Sequence, residues 1–113
     1  MVAKLGYVIE FVEDMNRAVT FYRDVVGLYV KFESPGWTEF STGETTLALH
    51  PASEKNPGGS VELGFKVPDV QQFHAEMTAK GVAFPIEPKK QEYGDMLARF
   101  KDSEGALITV SGN

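Results

Sequence analysis

The chain has 113 residues, 42% of them apolar, no cysteine and a formal net charge of −5. That length supports one core or two small modules, and the acidic balance excludes nucleic acid as the main partner, because phosphate binding needs a basic surface. Lack of cysteine excludes disulfides, thiolate metal sites and cysteine nucleophiles; with apolar runs too short for a bilayer and no apolar signal segment at Met1-Val2-Ala3-Lys4, a cytoplasmic protein without a membrane partner is expected.

Leu5 to Val12 is apolar and β-branched or aromatic at most positions, Glu10 excepted, and predicts a buried strand. Asp14 follows as an N-cap, and Met15, Ala18, Phe21, Tyr22 and Val25 recur at helical spacing up to a stop at Gly27. Three short strands come next: Tyr29 to Glu33, Trp37 to Ser41 and Thr45 to His50. Pro35-Gly36 suits the centre of a type II turn, and Thr42-Gly43 makes a second turn. Pro51 to Gly59 is the linker-like stretch. Beyond it, Val61 to Val67 predicts a strand. Asp69 caps a helix bearing Val70, Phe73, His74 and Met77 on one face, and Gly81 stops it. Strands over Val82 to Ile86, Met96 to Lys101 and Ala106 to Val110 complete the chain, with a polar loop at Pro88 to Gly94 and a turn at Asp102-Ser103-Glu104-Gly105.

The order β-α-β-β-β therefore occurs twice. Val12-Glu13-Asp14-Met15 and Val67-Pro68-Asp69-Val70 mark the same point in each copy, about 55 residues apart. Two copies are too few for a solenoid. The reading is one α+β domain, 1–113, made of modules 1–50 and 60–113 joined by linker 51–59. Each helix covers one sheet face. The two remaining faces, opposed, would form a curved eight-stranded cup with the helices outside, wide enough for one small ligand.

Three segments carry a family resemblance: Tyr7-Val8-Ile9-Glu10-Phe11-Val12-Glu13-Asp14, Phe21-Tyr22-Arg23-Asp24-Val25-Val26-Gly27-Leu28 and Glu62-Leu63-Gly64-Phe65-Lys66-Val67-Pro68-Asp69-Val70. Tyr93-Gly94-Asp95 and Phe100-Lys101-Asp102-Ser103-Glu104-Gly105 add to it. With these the chain resembles the vicinal oxygen chelate superfamily, which holds glyoxalase I, bleomycin-resistance proteins and extradiol dioxygenases. The resemblance implies the glyoxalase/bleomycin-resistance-like fold. It also implies a metal ligand (His, Gln or Glu) on each of four strands in the metal-dependent members. The matching positions here are Tyr7, Ala48, Glu62 and Thr109. Only Glu62 is a good ligand for a divalent cation, whereas zinc, nickel or iron sites generally use three or more protein ligands. His50, two residues beyond Ala48, shares its strand face and could join Glu62. Two expectations follow. One is a small-molecule binder of the bleomycin-resistance type, or a metal-free relative, with no cofactor. The alternative is a glyoxalase I-like lyase or dioxygenase holding a divalent metal ion through His50 and Glu62, with Tyr7 as a possible third donor.

The remaining residues favour the binder. Tyr7, Ile9 and Phe11 alternate on one face of the first strand, and Trp37 and Phe40 lie on opposite faces of another, so one of them joins that lining. Together with His50, Glu62 and Thr109 they form the expected ligand-binding set, suited to an aromatic or cationic small molecule. Arg99 is the nearest basic residue, and alternation could point it outward. His74 is expected to pack its helix rather than catalyse. Glu10 alternates with Val8 and Val12 toward the helix and needs a partner, for which Arg17 and Arg23 are candidates; a bulge would instead turn it the other way. A homodimer is expected, since small relatives in the family usually pair chains.

Overall fold

The computed structural model describes residues 2–113. They divide into two compact units: Gly6–Glu62, and Leu63–Asn113 with the residues up to Leu5. Each is a mixed four-stranded sheet with helix on one face.

In the first unit the strands are β1 (Lys4–Val12), β2 (Tyr29–Glu33), β3 (Thr38–Thr42) and β4 (Thr45–Pro51), in the order β2-β3-β4-β1. β1 and β4 run parallel, while β3 is antiparallel to both β2 and β4. Helix α1 spans Met15–Thr20 and is started by Asp14, whose side chain accepts from the Arg17 N–H at 3.0 Å. The expected single helix is in fact two kinds of turn. From Phe21 to Val26 the backbone is π-helical, and it ends at Gly27 with φ of 88°. The Gly27 N–H closes back on the Tyr22 carbonyl. The wider turn falls where the apolar stripe ceases: Tyr22 points to the core, while Phe21, Val25 and Val26 are exposed.

Strand alternation then sorts the side chains. Val12, Phe40 and Leu49 meet Val19 of α1 in one core cluster, and Phe40 and Leu49 are fully buried. Burying one such side chain contributes about 1.5–3 kcal/mol. Ile9, Phe11 and Ala48 form a separate cluster on the other face. Glu10 belongs to the helix side. Its partner is neither arginine: Arg23 forms an exposed ion pair with Asp24 at 2.8 Å, and the Tyr22 hydroxyl donates to Glu10 Oε1. That bond, helped by burial, pushes the Tyr22 pKa up to about 12.

The second unit is built from β5 (Val61–Val67), α2 (Val70–Ala79), β6 (Ile86–Lys90), β7 (Met96–Lys101) and β8 (Leu107–Gly112), with strand order β5-β8-β7-β6. The first two residues of β5 fall in the first unit. Asp69 caps α2 by accepting from the Gln72 N–H at 3.0 Å. Val67, Val70, Phe73, Ala98 and Val110 form its core, with Met77 and Phe100 packed against them. His74 sits edge-on to Phe84 with ring centres 4.6 Å apart, as a packing residue of the helix.

Two local expectations are corrected. The Val82 to Ile86 segment is not a strand up to Ile86; the strand is Ile86–Lys90, which begins where the expected one ends and runs into the stretch expected to be a loop. Pro88 misled the reading, but β6 is an edge strand with a register shift between Ile86 and Lys89, where proline costs no ladder bond. The Pro35-Gly36 turn is not type II, because Gly36 lacks a positive φ. It is held by the Ser34 N–H to the Trp37 carbonyl and the Trp37 N–H to Ser34 Oγ, both 3.0 Å. The linker-like stretch 51–59 runs beside β1: the Ala52 N–H donates to the Val12 carbonyl and the Gly59 N–H to the Phe11 carbonyl, each at 2.8 Å.

Two predictions follow from this packing. At Gly112, φ is 155° and an added Cβ would lie 1.9 Å from the Val67 carbonyl oxygen, which is backbone and cannot move aside. Gly112→Ala should therefore cost roughly 3 kcal/mol or more in urea unfolding, whereas Gly36→Ala, with open space around it, should stay within about 0.5 kcal/mol of the parent. Equal effects at the two sites would refute the packing. For Tyr22, a raised folded pKa means the native state holds the proton more tightly than the unfolded chain. Its stabilisation is complete below the ordinary value of 10 and is lost as pH rises toward about 12. Urea midpoints of the parent should fall more steeply across that window than those of Glu10→Gln.

Candidate functional site

The face of the first sheet turned away from α1 carries the concentrated chemistry. β1 contributes Tyr7, Ile9 and Phe11, and β4 contributes Ala48 and His50. In the parallel register Ile9 opposes Ala48 and Phe11 opposes His50. Trp37, just before β3, packs on the same cluster, while Phe40 goes to the helix side. The rings meet edge to face: Tyr7 to Trp37 at 6.3 Å, Phe11 to His50 at 5.5 Å and Trp37 to His50 at 6.2 Å between centres. Edge-to-face contact suits the ring quadrupoles and fixes the orientation of each ring.

His50 is exposed, and its Nδ1 lies 2.8 Å from the Pro51 carbonyl oxygen. A carbonyl only accepts, so Nδ1 carries the proton and neutral His50 offers the lone pair of Nε2. Glu62, on β5, is buried at 6% exposure, and Thr109, on β8, at 8%. Thr109 belongs to the second unit. Thus Tyr7, Ile9, Phe11, Trp37 and His50 are brought together, and Glu62 and Thr109 are buried polar groups on their own strands.

Glu39 was not anticipated. It opposes Ala48 across the β3·β4 ladder and so shares the aromatic face. The Trp37 indole N–H donates to Glu39 Oε2 at 2.8 Å. Lys31 Nζ lies 4.0 Å from the other oxygen and donates to Thr46 Oγ1 at 3.4 Å. The signal was present in the alternation of Trp37, Glu39 and Ser41 against Thr38 and Phe40, followed only as far as the aromatics.

Arg99 requires a correction of orientation. Ala98 packs under α2, so Arg99 points to the opposite face, directly across the ladder from Thr109.

A different concavity, of about 570 Å³, lies on the helix side of β1 and is lined by Glu10, Glu13, Arg17, Phe21, Tyr22 and Gly59. Its inner polar pair, Tyr22 and Glu10, is already satisfied, and Asp14 is committed to its cap. The aromatic face, with its outward histidine and carboxylate, has more to offer a ligand.

The donor set does not fit a divalent metal of the family type. At the four matching positions stand a phenol, a methyl group, one carboxylate and a hydroxyl, and His50 raises the strong donors only to two. Among the described residues no group of three or more His, Asp or Glu gathers at one point.

Known proteins resemble the chain throughout its length. YetH of Bacillus subtilis, itself uncharacterized, is 27% identical over 119 aligned positions, 97% of this chain and 98% of its own. A hypothetical protein from Bacillus halodurans superposes with a TM-score of 0.82 at 20% identity, covering 100% of this chain and 96% of the other. Methylmalonyl-CoA epimerase of Streptomyces coelicolor, solved with 2-nitronate-propionyl-CoA, superposes at 0.83 with 18% identity and the same coverage. At these identities the superpositions show a shared fold, the glyoxalase/bleomycin-resistance-like one expected from sequence. The profile of that family matches residues 4–110. The chain, with its two βαβββ modules, belongs to the glyoxalase/bleomycin resistance protein/dioxygenase superfamily.

Proposed function

We propose that the protein binds a small, flat, aromatic or cationic molecule, as a bleomycin-resistance-like or metal-free member of its superfamily. The observation that carries this is the cluster of Tyr7, Phe11, Trp37 and His50 on one sheet face, with ring edges and the Glu39 carboxylate around Trp37. Aromatic walls with a few fixed polar groups are the make-up of small-molecule sites. Glu62 accepts from an N–H or cationic group of the ligand. No helix among the described residues is long and apolar enough to cross a membrane, and absence of cysteine accords with a cytoplasmic setting. The second reading, a lyase or dioxygenase using a divalent ion on His50 and Glu62, has the superfamily's fold in its favour and the donor set against it.

The test uses the chain's one tryptophan. Trp37 emission should change saturably with a subset of neutral and cationic aromatic compounds. Glu62→Gln should weaken that binding about ten- to a hundred-fold, the equivalent of a charge-assisted hydrogen bond of about 1.5–3 kcal/mol, without altering the circular dichroism spectrum. A stoichiometric divalent ion in protein purified without chelator, together with a turnover that Glu62→Gln abolishes, would replace the binder by the metal enzyme. We further infer a homodimer. Phe21, Val25, Val26 and Tyr29 are exposed along the π-helical segment and edge strand β2, an apolar stretch of the kind that marks protein contacts. Light scattering at micromolar concentration should return twice the chain mass, and Val25→Asp should return the monomer.

A further inference from the structure

The two modules are equivalent position by position, and the ladders give the correspondence. In the first, Ile9 opposes Ala48 and Ala48 opposes Glu39. In the second, Gly64 opposes Thr109 and Thr109 opposes Arg99. The rows Ile9–Ala48–Glu39 and Gly64–Thr109–Arg99 are therefore counterparts. Residues facing one another on a ladder have side chains on the same face, with Cβ atoms about 4.5–5.5 Å apart. In the second row isoleucine has become glycine, alanine has become a hydroxyl, and the carboxylate has become a guanidinium. The next row continues the change: Phe11 and His50 correspond to Lys66 and Ser111.

The guanidinium differs from its counterpart in one further respect. Glu39 is paired with Trp37. Arg99 Nε is buried and, among the described residues, has no hydrogen-bond partner. A buried N–H without an acceptor is unfavourable, and Nε–H with the neighbouring Nη–H forms the edge of arginine that matches a carboxylate with two parallel bonds. Gly64 sends no side chain into the same row, and Thr109 lies directly across the ladder from Arg99.

We propose that the row Gly64–Thr109–Arg99, on the face of the second sheet turned away from α2, is a carboxylate-binding subsite. Arg99 takes the anion side-on through Nε–H and Nη–H, and the Thr109 hydroxyl lies alongside. The inference does not depend on the ligand proposed for the first sheet.

The probes are benzoate, its neutral counterpart benzamide, and inorganic phosphate. The signals are the side-chain Nε–Hε resonances of Arg17, Arg23 and Arg99 in the full chain, the Arg99 signal being identified by its loss in Arg99→Lys. Benzoate should shift the Arg99 signal saturably and leave Arg23 unmoved, with an affinity at least about tenfold above that for benzamide. Followed by the Thr109 and Ser111 backbone amides, Arg99→Lys should weaken benzoate at least about tenfold while leaving Trp37 emission responses unchanged. Equal response to benzamide, parallel movement of Arg23, or preference for phosphate over benzoate would each overturn the assignment. Should Arg99→Lys not fold, the parent titrations still decide. A null result with Trp37 alongside a saturable Arg99 shift would count against the binder reading alone, and the converse against this subsite alone.

Discussion

One short helix can cover only one face of a four-stranded sheet. Every strand in this chain alternates its side chains between two faces, so half of its inward-pointing residues must find another purpose. In the first unit Val12, Phe40 and Leu49 lie under α1, while Ile9, Phe11 and Ala48, one residue away on the same strands, form a second cluster on the far side. The division is set by the period of two and by the Asp14 and Asp69 caps, which start each helix immediately after the first strand of its module. Function has to be sought on the face the helix does not reach.

That constraint explains what could be read in advance. The element order and both caps follow from patterns a few residues long, and the structure keeps them. The failures were of another kind. Proline in Ile86–Lys90 signalled a loop, yet the strand lies at a sheet edge where a missing N–H is tolerated. Gly36 suggested a left-handed turn, yet Ser34 closes it with its hydroxyl. The π-helical turn has no signature beyond the fading of the apolar stripe. Partners were harder still. Alternation left two sides open for Glu10; it takes the helix side, and its partner there is Tyr22, which neither spacing nor charge pointed to.

The same argument applies to the candidate site. Tyr7, Ile9, Phe11 and His50 were legible because they sit on two strands that alternate cleanly. Glu39 and Arg99 were not weighed properly, because each depends on which residue lies across a ladder, and register is a tertiary fact. Glu39 came into view as the acceptor for Trp37, and Arg99 as the neighbour of Thr109. The superfamily's metal positions, by contrast, are readable from sequence alone, and here they describe a departure: a methyl group and a hydroxyl stand where carboxylates would be needed.

Duplication gives that departure its meaning. Two copies of one module begin with the same row of side chains, and a site that held one ion symmetrically would have kept similar donors in both. Here the rows have separated in charge. The first has rings, a histidine and a carboxylate bound to an indole; the second has a glycine, a lysine, two hydroxyls and a guanidinium whose Nε–H, among the described residues, has no acceptor. A half-buried carboxylate beside aromatics favours donors and cations, and a guanidinium favours oxyanions. The backbone register that makes the modules equivalent is thus also what makes their difference interpretable. The fold sets which face these rows occupy, and substitution within them has given one repeated surface two different sets of side chains.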